Sequence, residues 1–125
     1  MYDKTDPANY EDAAWCPIES TFDHLAGKWK ALVLLRLLVR PRRFNELLRT
    51  LDGCSQRTLT RQLRELERDG LVSRTVFPEV PPRVEYELTE RGSTLRPVFV
   101  ALCEWGQVQL RGEPADFDAA LATAK

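Results

Sequence analysis

The sequence predicts a mainly α-helical domain that carries a small β-hairpin. Three observations lead there. Apolar residues recur at helical spacing between residues 16 and 70, alternate as in strands between 71 and 89, and return to helical spacing afterwards. At 125 residues, 43% of them hydrophobic and 30% charged, the chain suits one domain with a genuine apolar core.

Residues 1–15 show no apolar periodicity and are expected to form a flexible arm. CPIE at Cys16 to Glu19 reads as a helix start: Cys16 at the cap, Pro17 in the first turn, Glu19 at the third position. This helix should run to about Ala26, where Gly27 breaks it. Trp29 to about Arg40 is leucine-rich nearly all round, the pattern of a central buried helix, and Pro41 ends it. Phe44, Leu47, Leu48 and Leu51 follow at i, i+3, i+4 and i+7 and mark a short third helix. Asp52-Gly53 makes the next turn, and Ser55 is a suitable cap for a fourth helix running to Gly70.

LVSRTVF at 71–77 is rich in β-branched residues, and VEYELT at 84–89 alternates apolar with charged positions. PEVPPR lies between them, and its three prolines stiffen a protruding turn that ends in Arg83. Thr89 caps a further helix, along which Leu95, Val98, Phe99, Leu102 and Trp105 share a broad face. Gly106 and Gly112 should interrupt the chain beyond that face, leaving residues 113–125 as a tail or a short helix over 116–124. Residues 16–112 thus form one domain with helices at both ends, and the element order is that of a winged helix-turn-helix.

The fourth helix, SQRTLTRQLRELERDG at 55–70, carries the functional signal. Arg57, Arg61, Arg64 and Arg68 recur at steps of four, three and four, which stacks them along one face. Leu59, Leu63 and Leu66 keep the same rhythm roughly 170° around the cylinder. A merely solvated face usually mixes Lys with Glu, whereas arginines in register repel by a few tenths of a kcal/mol per pair. A helix read by the major groove needs such donors, because Arg contacts guanine bidentately and pairs with phosphate. Gln56, Arg57, Thr60 and Arg61, nearest the helix start, are expected to meet bases, and Arg64 and Arg68 to meet phosphate. The Ser55 hydroxyl and the first backbone N–H groups are expected to hold another phosphate. Arg83 should reach the minor groove or backbone, and Lys30 or Arg42 the backbone.

The net charge of −1 hides this polarity. Residues 1–27 hold one Lys against six acidic groups, residues 28–75 hold twelve basic against five acidic, and residues 76–125 five against eight. A basic centre therefore lies between acidic ends, and local charge governs affinity for a polyanion. Three cysteines at 16, 54 and 103, with no CxxC pair, argue against a disulfide scaffold or zinc ribbon. His24 stands alone, and no phosphate loop, nucleophile elbow or carboxylate pair is present, so no catalytic set, metal or cofactor is expected. The apolar run at Ala31–Val39 is too short for a membrane span. With no secretory signal at the start, a cytoplasmic location is expected. The rival from another class is a winged-helix module that docks on a protein; it calls for an acidic or apolar outer face on the fourth helix.

From Cys16 to Gly106 the chain resembles the HxlR-type branch of the MarR-like winged-helix regulators. The resemblance is carried by CPIE, GKWK at 27–30, RFNEL at 43–47, SQRTLTRQLRELERDGLVSR, PEVPPRVEYELTERG at 78–92 and LCEWG at 102–106. It implies a homodimeric bacterial transcription factor, usually a repressor, on a near-palindromic operator, pairing through its first and last helices. Two recognition helices would then meet successive major grooves, with half-site centres about 10 bp apart. The resemblance further implies that Cys16 is a sensor of quinones, other electrophiles or oxidants. A thiol at a helix start faces free N–H groups and the positive end of the dipole, while Glu19 and the acidic arm oppose that effect. Cys54 is either a resolving partner or a buried turn residue, and Cys103 is expected to pack. Control by a non-covalent small ligand is the alternative to thiol chemistry.

Overall fold

The computed structural model describes residues 6–10 and 14–113. The arm contains one 3-10 turn, Pro7–Tyr10, where no regular structure was expected. The short helix expected over 116–124 lies outside the described residues.

Helix α1, Pro17–His24, starts where CPIE places it, with Cys16 in an extended conformation at the cap. It stops two residues short of the expected Ala26, and Leu25 turns into the core at 8% exposure. Gly27, at φ +82°, opens α2, Lys28–Val39, a conformation that costs glycine little. Val33, Leu34 and Leu37 of α2 are buried, and its flanking leucines are half-buried against the same core. This is the central helix that its leucine content predicts.

Helix α3, Phe44–Thr50, buries Leu47 completely. Glu46 tethers its first turn: Oε1 accepts the Arg43 backbone N–H at 3.0 Å, and Oε2 accepts from Arg40 Nη2 at 3.0 Å. The backbone hydrogen bond and then the Arg40 guanidinium hold the Glu46 carboxyl below its usual value. Gly53, at φ +85°, makes the turn into α4, Gln56–Arg68. Ser55 Oγ accepts the Thr58 N–H at 3.0 Å, satisfying one orphan donor at the start of α4. Leu59, Leu63 and Leu66 are at most 1% exposed, so one side of α4 is sealed into the core.

The described residues form three strands, one more than the expected hairpin. β1, Arg42–Arg43, β2, Val72–Phe77, and β3, Arg83–Leu88, make an antiparallel sheet in the order β1-β3-β2. β2 and β3 pair from Val72 opposite Leu88 to Phe77 opposite Arg83, as the hairpin reading requires. β1 pairs Arg42 with Tyr86 and Arg43 with Glu85. Two residues are too few to show a period, so β1 leaves no mark in the sequence.

Thr89 joins the sheet to the helices beyond it. Its hydroxyl accepts the Gly92 N–H at 3.0 Å and donates to the Gly70 carbonyl, while its backbone N–H donates to Leu71 O at 3.1 Å. It caps α5, Glu90–Ser93, a single turn. The longer helix α6, Arg96–Arg111, restarts after Leu95 with Pro97 in its first turn. The expectation of one helix from Thr89 is thus corrected. Gly106 does not interrupt α6, which runs on to Gly112 at φ +68°. One glycine costs about 1 kcal/mol against alanine, too little to break a ladder of 16 residues.

Gly92 is buried against the Leu71 backbone, and a Cβ at that position would collide with the Leu71 carbonyl oxygen. Gly92→Ala is therefore expected to cost about 1–3 kcal/mol by overpacking against an atom that cannot swing aside. Urea unfolding should show a lowered midpoint with an unchanged slope.

Candidate nucleic-acid interface

Burial of the α4 leucines decides what its other face can do. Arg57, Arg61, Arg64 and Arg68 are all exposed, and among the described residues none is paired with a carboxylate. Glu65, on the same helix, is engaged elsewhere: its Oε2 lies 2.8 Å from Lys30 Nζ on α2. The Lys30 hydrogen bond holds the Glu65 carboxyl below its usual value, with Arg61 and Arg68 adding to the effect. Four guanidinium groups thus face solvent in register, without neutralising partners.

Gln56 and Ser55 are exposed at the start of α4, and Thr60 is half-buried. The Thr60 hydroxyl donates to Gln56 O at 2.8 Å, and the Ser55 hydroxyl donates to Thr58 Oγ1 at 2.9 Å. Both donors are spent inside the helix, so what Ser55 and Thr60 offer outward is acceptor capacity and shape, a poor match to phosphate.

Three of the expected contacts are placed differently. Lys30 is an intramolecular partner of α4, its side chain 11% exposed, and does not project outward. Arg42 is 2% exposed within β1, opposite Tyr86, so its guanidinium belongs to the interior. Arg83 sits at the first residue of β3 rather than at the tip, which is formed by residues 78–82 with Val80 fully exposed. Its Nη atoms lie 3.2 Å from Glu79 and 3.3 Å from Glu85, and its guanidinium stacks 4.1 Å from the Phe77 ring centroid. For Lys30 the cause is a carboxylate on another helix, for Arg42 burial in the sheet, and for Arg83 the closed hairpin that sets it between Glu79 and Glu85 and over Phe77.

The structure adds Arg74, which the charge count contained but no motif singled out. It is exposed on β2 and shares a shallow polar pocket with Thr60, Arg64, Glu67 and Tyr86. It therefore extends the basic surface from α4 onto the hairpin.

Away from α4, α1 and α6 leave apolar side chains uncovered. Ile18, Phe22, Val98, Leu102 and Trp105 are 37–61% exposed, while Phe99 alone on α6 is buried. Pro17, Ile18, Phe22, Val98 and Leu102 line one groove between the two helices. Cys16 is half-buried beside this face, and all three cysteines are free thiols. Burial pushes the Cys54 and Cys103 thiols up. Among the described residues no group of His, Cys, Asp and Glu could hold a metal, and no helix is long and apolar enough to cross a membrane.

A sealed recognition helix, a three-stranded wing and an open arginine row define a winged helix-turn-helix transcriptional regulator of the MarR-like type. Comparison with known proteins makes this specific. Residues 24–114 match the HxlR-like helix-turn-helix family, and the chain belongs to that family. It is 48% identical over 97 residues to the HTH-type transcriptional regulator YdeP of Bacillus subtilis strain 168, covering 78% of this chain and 76% of that one. Among solved structures it is similar to the redox regulator HypR in its reduced form, at TM-score 0.73 and 46% identity, covering 77% of this chain and 95% of HypR. The reduced transcriptional regulator YodB of B. subtilis superposes at TM-score 0.70 with 37% identity, covering 78% and 97%. HypR has also been solved in an oxidised form and YodB after diamide treatment. Members of the family are transcriptional regulators, not enzymes.

Proposed function

We infer that this regulator works as a homodimeric repressor, with one α4 in each of two successive major grooves of a near-palindromic operator. The observation that carries the reading is the unpaired row of Arg57, Arg61, Arg64 and Arg68 opposite buried leucines. Gln56, Arg57 and Arg61 read bases, Arg64 and Arg68 grip phosphate, and Arg74 joins them from the wing. The apolar groove and uncovered faces of α1 and α6 support pairing through those helices.

Oxidant control at Cys16 is the second part of the reading. Cys16 ends the arm at the cap of α1, makes no capping hydrogen bond, and adjoins the face assigned to pairing. A modification there alters the seat of α1 and hence the spacing of the two reading helices. Cys54 is the weaker candidate, since burial pushes its thiol up, away from the reactive thiolate, and the thiol donates to Ser55 O at 3.6 Å. The likeness to HypR and YodB supports thiol control over a non-covalent ligand.

The test is a mobility shift on the gene's own promoter DNA. The reduced wild type is expected to bind, to release on treatment with diamide or a quinone, and to sediment as twice 14.4 kDa. Cys16→Ser should bind and ignore the oxidant. Release of both proteins by oxidant removes Cys16 from the mechanism, and absence of a shift removes the operator reading itself.

A further inference from the structure

A second basic site lies away from the α4 row, and its charged donors are residues not assigned above to reading DNA. The start of α3 and the base of the wing enclose an open cleft of about 660 Å³, lined by Arg43, Asn45, Glu46, Arg49, Pro82 and Arg83 among others. Its charge is decided by which carboxylates are already engaged. Glu46 is occupied by Arg40 and by the Arg43 backbone N–H. Glu85 stands opposite Arg43 in the β1–β3 ladder, yet its carboxylate goes to Arg83, which also holds Glu79. Arg83 thereby forms a neutralised, ring-stacked wall. Arg43 and Arg49 are exposed, and among the described residues neither is paired with a carboxylate. Two arginines without carboxylate partners and one asparagine therefore line a single cavity whose one acidic lining residue, Glu46, is already committed.

We propose that this cleft binds phosphate, with Arg43 and Arg49 as the charged donors and Asn45 as a neutral one. Guanidinium forks match phosphate oxygens bidentately, and the cavity has room for a phosphate with its sugar. The group comes either from the backbone of bound DNA, flanking the bases that α4 reads, or from a small phosphorylated anion. The first source rests on the operator reading; the second does not.

The experiment compares wild type with Arg43→Gln/Arg49→Gln, and with Arg43→Lys/Arg49→Lys, in two arms. In the first, affinity for the operator and for an unrelated duplex is measured by anisotropy across salt concentrations. For a backbone source, the Gln pair removes four phosphate contacts from a dimer on one duplex, weakens both duplexes alike and lowers the salt slope by about 4, while the Lys pair keeps the slope. In the second arm, pyrophosphate is titrated while thermal unfolding is followed. For a small anion, the wild-type midpoint rises, that of the Gln pair does not, and the duplex slope is the same in both. Because Arg43 also caps α3, Arg49→Gln alone is carried through both arms and should give half the slope change, about 2. A slope unchanged in the Gln pair, together with pyrophosphate that stabilises neither protein, overturns the proposal. If wild type binds no duplex, the operator reading fails and the pyrophosphate arm alone decides for the cleft.

Discussion

Arg57→Ala/Arg61→Ala is expected to abolish operator recognition while leaving the fold intact. Both side chains are exposed and pair with no carboxylate among the described residues, so their removal exposes no cavity and strands no partner. Each bidentate contact to a base contributes about 1–3 kcal/mol of discrimination, and a dimer that loses two in each protomer should weaken on its specific site by at least about a thousandfold. The comparison that isolates the effect is Arg64→Ala/Arg68→Ala. Those residues lie further along α4, and their loss should weaken specific and unrelated duplexes equally. Anisotropy at fixed salt on both duplexes, with circular dichroism as a control on folding, separates the two pairs. Equal loss on both duplexes for the Arg57 and Arg61 pair would falsify base reading at the start of α4.

Leu63→Ala carries the largest expected cost in stability. Leu63 is 1% exposed at the middle of the buried face of α4, between Leu59 and Leu66. Truncating a fully buried leucine removes its transfer energy and leaves a cavity, together about 2–5 kcal/mol. Domains of this size hold about 5–15 kcal/mol in total, so the substitution takes a large share of that margin. Urea denaturation should show the midpoint falling sharply, and Leu63→Met, which nearly conserves volume, should cost less than about 1.5 kcal/mol. The Ala variant should also bind DNA poorly although it retains every arginine, because α4 then lacks a fixed seat. A variant with wild-type stability would mean that α4 is not anchored through its leucines.

These two experiments probe what was most legible in the amino-acid order. The leucine and arginine stripes of α4 follow from helical geometry alone, and α2, α3 and the β2–β3 hairpin follow from periods and turn residues that act over a few positions. What could not be read depends on distant partners. Lys30 looks like any surface lysine until Glu65, on another helix, stands 2.8 Å away. Arg42 looks exposed until a two-residue strand carries it against Tyr86. Arg83 lies beside Glu85 in the sequence, but its double pairing and its stacking on Phe77 require the closed hairpin. The division of α5 from α6 escaped because the apolar face continues through Leu95 although the backbone does not. Arg74 escaped because nothing in the extended run SRTVF says which side meets α4.

The junction at Thr89 and Gly92 has a mechanical consequence. One threonine clasps the peptide that ends α4, and one glycine rests its bare backbone on the next residue, while α6 departs a few residues later. The segment that leads into α6 and the end of α4 are therefore held through the same few backbone groups. A shift in the setting of that segment is therefore expected to be felt at the end of α4.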